Sequence, residues 1–212
     1  MQGKSIINSN RMSMKKLFFL FAFLVGLGIS SSVYAQLVKE VTLTSTNTLA
    51  SELGADVGKV TSLKVNGLLR AEDFKTMKEQ MNMLQVLDMS GVTELPKTAY
   101  WNESVREELQ SIPREAFQNK LTLQKVIFSE ALEMIDEGAF SGCNNLTEFD
   151  FSKATQLRSI EYRAFYECSG LRDLDLSACT SLVGIRSNVF YRCSNLQTVN
   201  LSGCGKLSNI GT

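Results

Sequence analysis

The sequence predicts an α/β repeat solenoid, and three observations carry that prediction. Ile112-Pro-Arg-Glu-Ala-Phe117, Ile135-Asp-Glu-Gly-Ala-Phe140, Ile160-Glu-Tyr-Arg-Ala-Phe165 and Ile185-Arg-Ser-Asn-Val-Phe190 repeat one phrase, first 23 and then 25 residues apart. Cys143, Cys168 and Cys193 keep the same spacing, as do Cys179 and Cys204, and an isoleucine returns at Ile210. Between the phrases apolar residues alternate, as in Leu174-Asp-Leu176. A fixed period of roughly 20 to 50 residues means that each unit buries its apolar face against its neighbours.

Residues 1–35 read as an export signal. Met14-Lys-Lys16 is basic, Leu17 to Ile29 is an apolar run with four phenylalanines, and Val33-Tyr-Ala35 ends in a small residue before Gln36. A membrane anchor is the competing reading, but the run is shorter than the roughly 18 to 20 residues that span a bilayer. Cleavage near Ala35 and export to the extracellular space or cell surface are expected, leaving no membrane span in the mature chain. Met14 offers a second start, which would make residues 1–13 an upstream extension. No cysteine near the cleavage site supports lipid attachment.

Residues 36–59 are expected to cap the N-terminal end of the core, with Leu49, Leu53 and Val57 spaced for a short helix or capping turn. Residues 60–111 read as degenerate repeats with an inserted loop. Val60-Thr-Ser-Leu63-Lys-Val65-Asn-Gly67 superimposes on Leu84-Gln-Val-Leu87-Asp-Met89-Ser-Gly91 at an offset of 24. Between them Phe74, Met77 and Met81 stand at helical spacing behind Glu72 and Asp73, acids that a helix dipole favours in its first turn. Glu94 to Ser111 interrupts the array and holds Pro96, Tyr100, the single tryptophan Trp101 and the run Arg106-Glu-Glu108. Its aromatics either form a ligand-contacting protrusion or pack on the solenoid from an enlarged convex-side loop, because aromatic rings gain most from burial.

Residues 112–212 hold regular repeats of 23 to 25 residues, the last incomplete. Leu171-Arg-Asp-Leu174-Asp-Leu176-Ser-Ala-Cys179-Thr-Ser-Leu182 spells L-x-x-L-x-L-x-x-C-x-x-L. Leu196, Val199, Leu201, Cys204 and Leu207 repeat it on one side, Leu146, Phe149, Phe151, Ala154 and Leu157 on the other. The alternation is the period of a strand with one buried face, so each repeat is expected to add a short strand to a parallel sheet. The turns Ala139-Phe-Ser-Gly-Cys143-Asn-Asn-Leu146, Ala164-Phe-Tyr-Glu-Cys168-Ser-Gly-Leu171 and Val189-Phe-Tyr-Arg-Cys193-Ser-Asn-Leu196 resemble the BspA-type leucine-rich repeats of bacterial surface proteins. The resemblance covers Ile112 to Ile210. It departs at Gln118-Asn-Lys-Leu121, which lacks the cysteine, and before Ile135, where the copy is two residues short. It implies a leucine-rich-repeat horseshoe segment, with a parallel sheet on the concave face and turns or short helices on the convex face. It also implies a secreted or cell-surface protein that binds other macromolecules.

Charge and composition exclude several classes. The chain has 22 basic and 22 acidic side chains; residues 1–35 hold four of the basic ones and no acid, so the mature part carries 18 against 22, a net charge of −4. That balance is a poor match for nucleic acid, which demands clustered Lys and Arg. The chain has no histidine, which removes the commonest general base and the usual nucleophile pairs. With no C-x-x-C either, the common zinc spacings are missing. No catalytic residue, cofactor or metal is expected, and no enzyme. Asp150, Asp175 and Asn200 supply oxygens of the kind calcium prefers, but such sites converge more ligands than one column offers. The five cysteines of an exported chain invite pairing. Strands about 4.8 Å apart lie within disulfide reach, yet equivalent positions project their Cβ atoms in parallel, against the nearly perpendicular disulfide dihedral. Buried free thiols acting as small hydrophobes are the favoured reading.

If Leu174 and Leu176 point inward, Asp173, Asp175 and Ser177 point out, and the same columns hold Lys125, Glu148 and Thr198; Ile127, Asp150 and Asn200; Ser129, Ser152 and Ser202. The candidate binding residues are Lys125, Ile127, Glu148, Asp150, Asp173, Asp175, Thr198 and Asn200. This face lacks aromatic platforms for sugars and suits a basic or mixed-charge extracellular or host protein. A merely solvated sheet is the alternative. Ile210-Gly-Thr212 stops where earlier copies begin their Ala-Phe turn, so the chain is expected to be the front of a longer protein, a truncated product, or a subunit that associates end to end. Two functions therefore compete: an adhesion module, and a structural spacer or stacking unit with no ligand of its own.

Overall fold

The alternating apolar positions form two parallel ladders that enclose one continuous core. The computed structural model describes residues 36–101 and 106–211; the export signal expected in residues 1–35 lies outside the described residues, as do residues 102–105. In chain order the N-terminal elements are β1 (Leu37–Leu43), α1 (Leu49–Leu53), a 3-10 turn (Gly54–Lys59), β2 (Val60–Leu68), α2 (Ala71–Glu79), β3 (Val86–Glu94), β4 (Lys97–Trp101) and β5 (Arg106–Ile112). Then come β6 (Lys125–Ile127), β7 (Met134–Ile135), β8 (Glu148–Asp150), β9 (Ser159–Ile160), β10 (Asp173–Asp175), β11 (Gly184–Ile185), β12 (Thr198–Asn200) and β13 (Asn209–Ile210).

The first ladder runs β1-β2-β3-β6-β8, and β10-β12 continue it beside β8. The second runs β5-β7-β9-β11-β13, with β4 antiparallel on its edge. Leu63 pairs with Leu87 at the offset of 24 read from the sequence, but the register slips by one between Lys64 and Asn66. β1 pairs with β2 along its whole length. The cap assigned to residues 36–59 thus begins with a strand, whose only alternation signal is Val41 and Leu43, the two buried residues in it. Gly67, with φ of +83°, sits at the end of this pairing; a Cβ there would lie 2.2 Å from the Leu43 carbonyl oxygen, so no other residue fits without displacement.

Between β1 and β3 the chain returns by helices. α2 lies where the spacing predicted it and buries Phe74 and Met77. Asp73 is fully buried. Its Oδ2 accepts the Arg70 N–H at 2.9 Å and its Oδ1 the Leu49 N–H at 2.7 Å, so one carboxylate satisfies orphan donors at the starts of both helices. Among the described residues no helix follows α2; from β5 onward the return is made by turns and two-residue strands.

The isoleucines of the repeated phrase fall into register, Ile112 with Ile135, Ile160, Ile185 and Ile210. Behind them the phenylalanines stack: Phe117 on Phe140 at 5.3 Å between centroids, Phe140 on Phe165 at 5.7 Å, and Phe165 on Phe190 at 5.9 Å. Two columns of positive φ accompany them, Glu115, Gly138, Arg163 and Asn188, and Asn119, Gly142, Glu167 and Arg192. There the chain bends so that its N–H donates to the next repeat, as Gly138 does to the Tyr162 carbonyl at 3.0 Å and Glu167 to that of Tyr191 at 2.9 Å. The bend recurs whatever the residue, because the array needs that hydrogen bond.

All five cysteines are free and buried. The Sγ atoms of Cys143, Cys168 and Cys193 donate to the carbonyls of Phe117, Phe140 and Phe165 at 3.0, 3.1 and 3.0 Å, and Cys204 donates to Leu176 at 3.2 Å. Each thiol therefore points at the backbone of the preceding repeat and not at its neighbour's sulfur. Burial pushes the Cys143 and Cys179 thiols up to about 12 and the Cys193 thiol up to about 11, far from reactive thiolates.

The interruption at Glu94 to Ser111 is a β-hairpin and not a loop. Its alternation is hidden by charge: Tyr100 and Leu109 face inward between Lys97, Arg106 and Glu108. Tyr100, Leu109 and Met134 make a small separate core, and Glu107 pairs with Arg158 at 2.7 Å. Tyr100 accordingly packs on the solenoid; the side chain of Trp101 lies outside the described residues.

Candidate binding face

The eight candidate residues come together on β6, β8, β10 and β12. Register places Lys125 beside Glu148 and Ile127 beside Asp150, and likewise Asp173 beside Thr198 and Asp175 beside Asn200. The alternate residues Val126, Phe149 and Leu174 are buried, which turns the candidates outward. Glu148, Asp173, Asp175, Thr198 and Asn200 are exposed, while Lys125, Ile127 and Asp150 are partly covered. Where the pairing breaks between β8 and β10 lies an open depression of about 560 Å³, lined in part by Glu148, Arg172, Asp173, Asp175, Thr198 and Asn200.

Much of this face is internally satisfied. Lys125 pairs with Glu148, the Thr198 hydroxyl donates to Asp173, and Asn200 Nδ2 donates to Asp175 Oδ1 at 3.0 Å. The second row also terminates its strands. Asp150 Oδ1 accepts the Ser152 N–H at 2.9 Å, Asp175 Oδ1 that of Ser177 at 2.9 Å, and Asn200 Oδ1 that of Ser202 at 3.1 Å. These are Asx turns. Bonds from Ser152 hold the Asp150 carboxyl below the usual aspartate range, and those from Ser177 do the same for Asp175. Both are charged at neutral pH. Ile127 breaks the row, and the hydroxyl of Ser129 behind it is buried without a partner.

Sequence reasoning missed Asp88, which makes the same turn to the Ser90 N–H at 2.8 Å. The shared triplet, Asp-x-Ser at 88, 150 and 175, was the available signal. It also missed Arg172 at the rim of the depression, because one arginine between two leucines has no counterpart in the other copies.

Residues 110–212 match the family model described as BspA type leucine rich repeat region, in six copies. This stretch belongs to the BspA-type leucine-rich-repeat family. No curated protein matches the chain. Among solved structures, this BspA-type chain is similar to a leucine-rich repeat protein from Bacteroides ovatus, at 20% identity and a TM-score of 0.42 over 73% of this chain and 46% of that one. It is also similar to a leucine-rich repeat protein of T. pallidum, at 17% identity and 0.30 over 69% and 78%. A third is a leucine-rich cell surface protein from Faecalibacterium prausnitzii, at 14% and 0.29 over 66% and 51%. The chain spans less than half the length of the first of these. Among the described residues no helix is long and apolar enough to cross a membrane.

Proposed function

We propose that this BspA-type chain is a secreted or cell-surface, non-catalytic binding protein that engages an extracellular or host protein. The engaging surface is the outer side of β6, β8, β10 and β12, the concave face of a horseshoe whose turns occupy the convex side. The observation that carries the reading is the pair of side-chain rows crossing four successive strands around an open depression, with Glu148, Asp173 and Asp175 exposed. Such an acidic face steers a basic or mixed-charge partner and discriminates against acidic ones. Export through residues 1–35 belongs to the same proposal. The mutual satisfaction of Lys125 with Glu148 and of Thr198 with Asp173 favours a second reading, a structural spacer with no ligand.

Retention of serum and extracellular-matrix proteins, compared between the native protein and a Glu148→Lys/Asp173→Lys/Asp175→Lys variant, separates the two. A partner held by the native protein and lost from a folded, monomeric variant supports binding through this face. Equal retention by both, or none by either together with self-association through the Leu201 to Ile210 edge, supports the spacer.

A further inference from the structure

We propose that the turns following β9 and β11 form a second binding surface, for an acidic segment of another protein, built on Tyr162, Arg163, Tyr166, Tyr191 and Arg192. These side chains form one continuous stack. The Arg163 guanidinium carbon lies 4.7 Å from the Tyr162 ring centroid and 5.2 Å from that of Tyr166. Tyr166 stacks on Tyr191 at 5.4 Å and 15°, and the Arg192 guanidinium lies 5.6 Å over Tyr191. The stack stands on the turns after the second ladder, whereas the rows of the first proposal stand on strands of the first ladder.

Three observations point outward to a ligand. Tyr191 is 50% exposed, a large aromatic left in water, and tyrosine and arginine dominate the centres of protein interfaces. Arg192 is matched by Glu167 at 2.8 Å, but among the described residues the Arg163 guanidinium has no carboxylate and no hydrogen-bond acceptor. A guanidinium held between two rings presents its N–H edge as a fork whose natural complement is a carboxylate. Finally, Arg163 and Arg192 have φ of 57° and 60°, in columns where Gly138 and Gly142 stand two or fewer repeats earlier. Glycine takes that conformation without the penalty an arginine incurs. Residues kept in a costly conformation are a reason to look for a role. The stack fixes the rotamers of both arginines before any partner arrives, which lowers the entropy lost on binding.

The probe is a random copolymer of glutamate and tyrosine, with polygalacturonate as the acidic polysaccharide comparison, titrated against the native protein, Arg163→Gly and Tyr191→Ser. Arg163→Gly removes the cation while placing a residue suited to positive φ, so its thermal midpoint is expected at or above the native one. The expected result is copolymer binding that weakens about tenfold or more in each variant. Affinity within about twofold of native in Arg163→Gly, no copolymer binding by the native protein, or binding of polygalacturonate alone overturns the proposal.

Discussion

Replacing Phe140 with alanine should cost about 4 to 5 kcal/mol, at the upper end for a buried phenylalanine. Phe140 is fully buried. Its ring meets Phe117 at 5.3 Å, Phe149 at 5.2 Å, Phe165 at 5.7 Å and Phe128 at 6.1 Å, so four aromatic contacts vanish together. Because those rings also belong to the repeats on either side, the cavity cannot collapse without disturbing three units at once. Phe190 occupies the same column, but it is half-buried and has one aromatic neighbour, Phe165 at 5.9 Å. Its loss should cost only about 1 to 2 kcal/mol, in proportion to the smaller area removed from the core. Urea unfolding followed by circular dichroism measures both, and a fall in m for Phe140→Ala as well as in midpoint would reveal the array dividing at the substituted repeat. Equal costs for the two variants, or a cost below about 2 kcal/mol at Phe140, would refute the picture of one core running through all the repeats.

Four further outcomes follow from local geometry. A thiol reagent at pH 8 should modify none of the five cysteines in the folded protein and all five in denaturant, with no mass deficit from disulfides. Gly67→Ala should destabilise by about 2 kcal/mol or more, from positive φ and the Leu43 carbonyl together, read as a lower thermal midpoint. Ser129→Ala should stabilise by about 1 kcal/mol, since it deletes a buried hydroxyl with no partner, while Ser152→Ala should destabilise by a similar amount; matched denaturation curves decide. Because the folded Asp150 carboxyl is held below its ordinary value of 3.8, its contribution is complete above that pH and disappears as pH falls towards the folded value. Asp150→Asn should therefore flatten the acid limb of the stability profile, and an unchanged limb would count against the Ser152 bonds as its cause.

The repeat region was legible because one ruler governs several chemistries at once. The isoleucine, phenylalanine and cysteine columns each recur at 23 to 25 residues, and each becomes a physical stack in the fold. The candidate rows followed from the same alternation. What escaped was structure whose signal is carried by hydrogen bonds instead of apolar spacing. β1 buries only Val41 and Leu43 and is defined by its pairing with β2. The hairpin hides Tyr100 and Leu109 among charges that themselves form contacts, Glu107 with Arg158 among them. The positive-φ columns are invisible to hydrophobic pattern, since glutamate, asparagine and arginine share them with glycine. The Tyr162 to Arg192 stack was unreadable for a related reason: its members stand at different offsets within two repeats and meet only after the turns are folded.

Hydrogen–deuterium exchange of the protein, with and without a partner retained from serum or matrix proteins, tests binding through the first ladder most directly. Protection concentrated at residues 125–127, 148–150, 173–175 and 198–200, and absent when Glu148, Asp173 and Asp175 are replaced by lysine, is the predicted result. Protection that avoids these four strands, or that persists in the lysine variant, would contradict it.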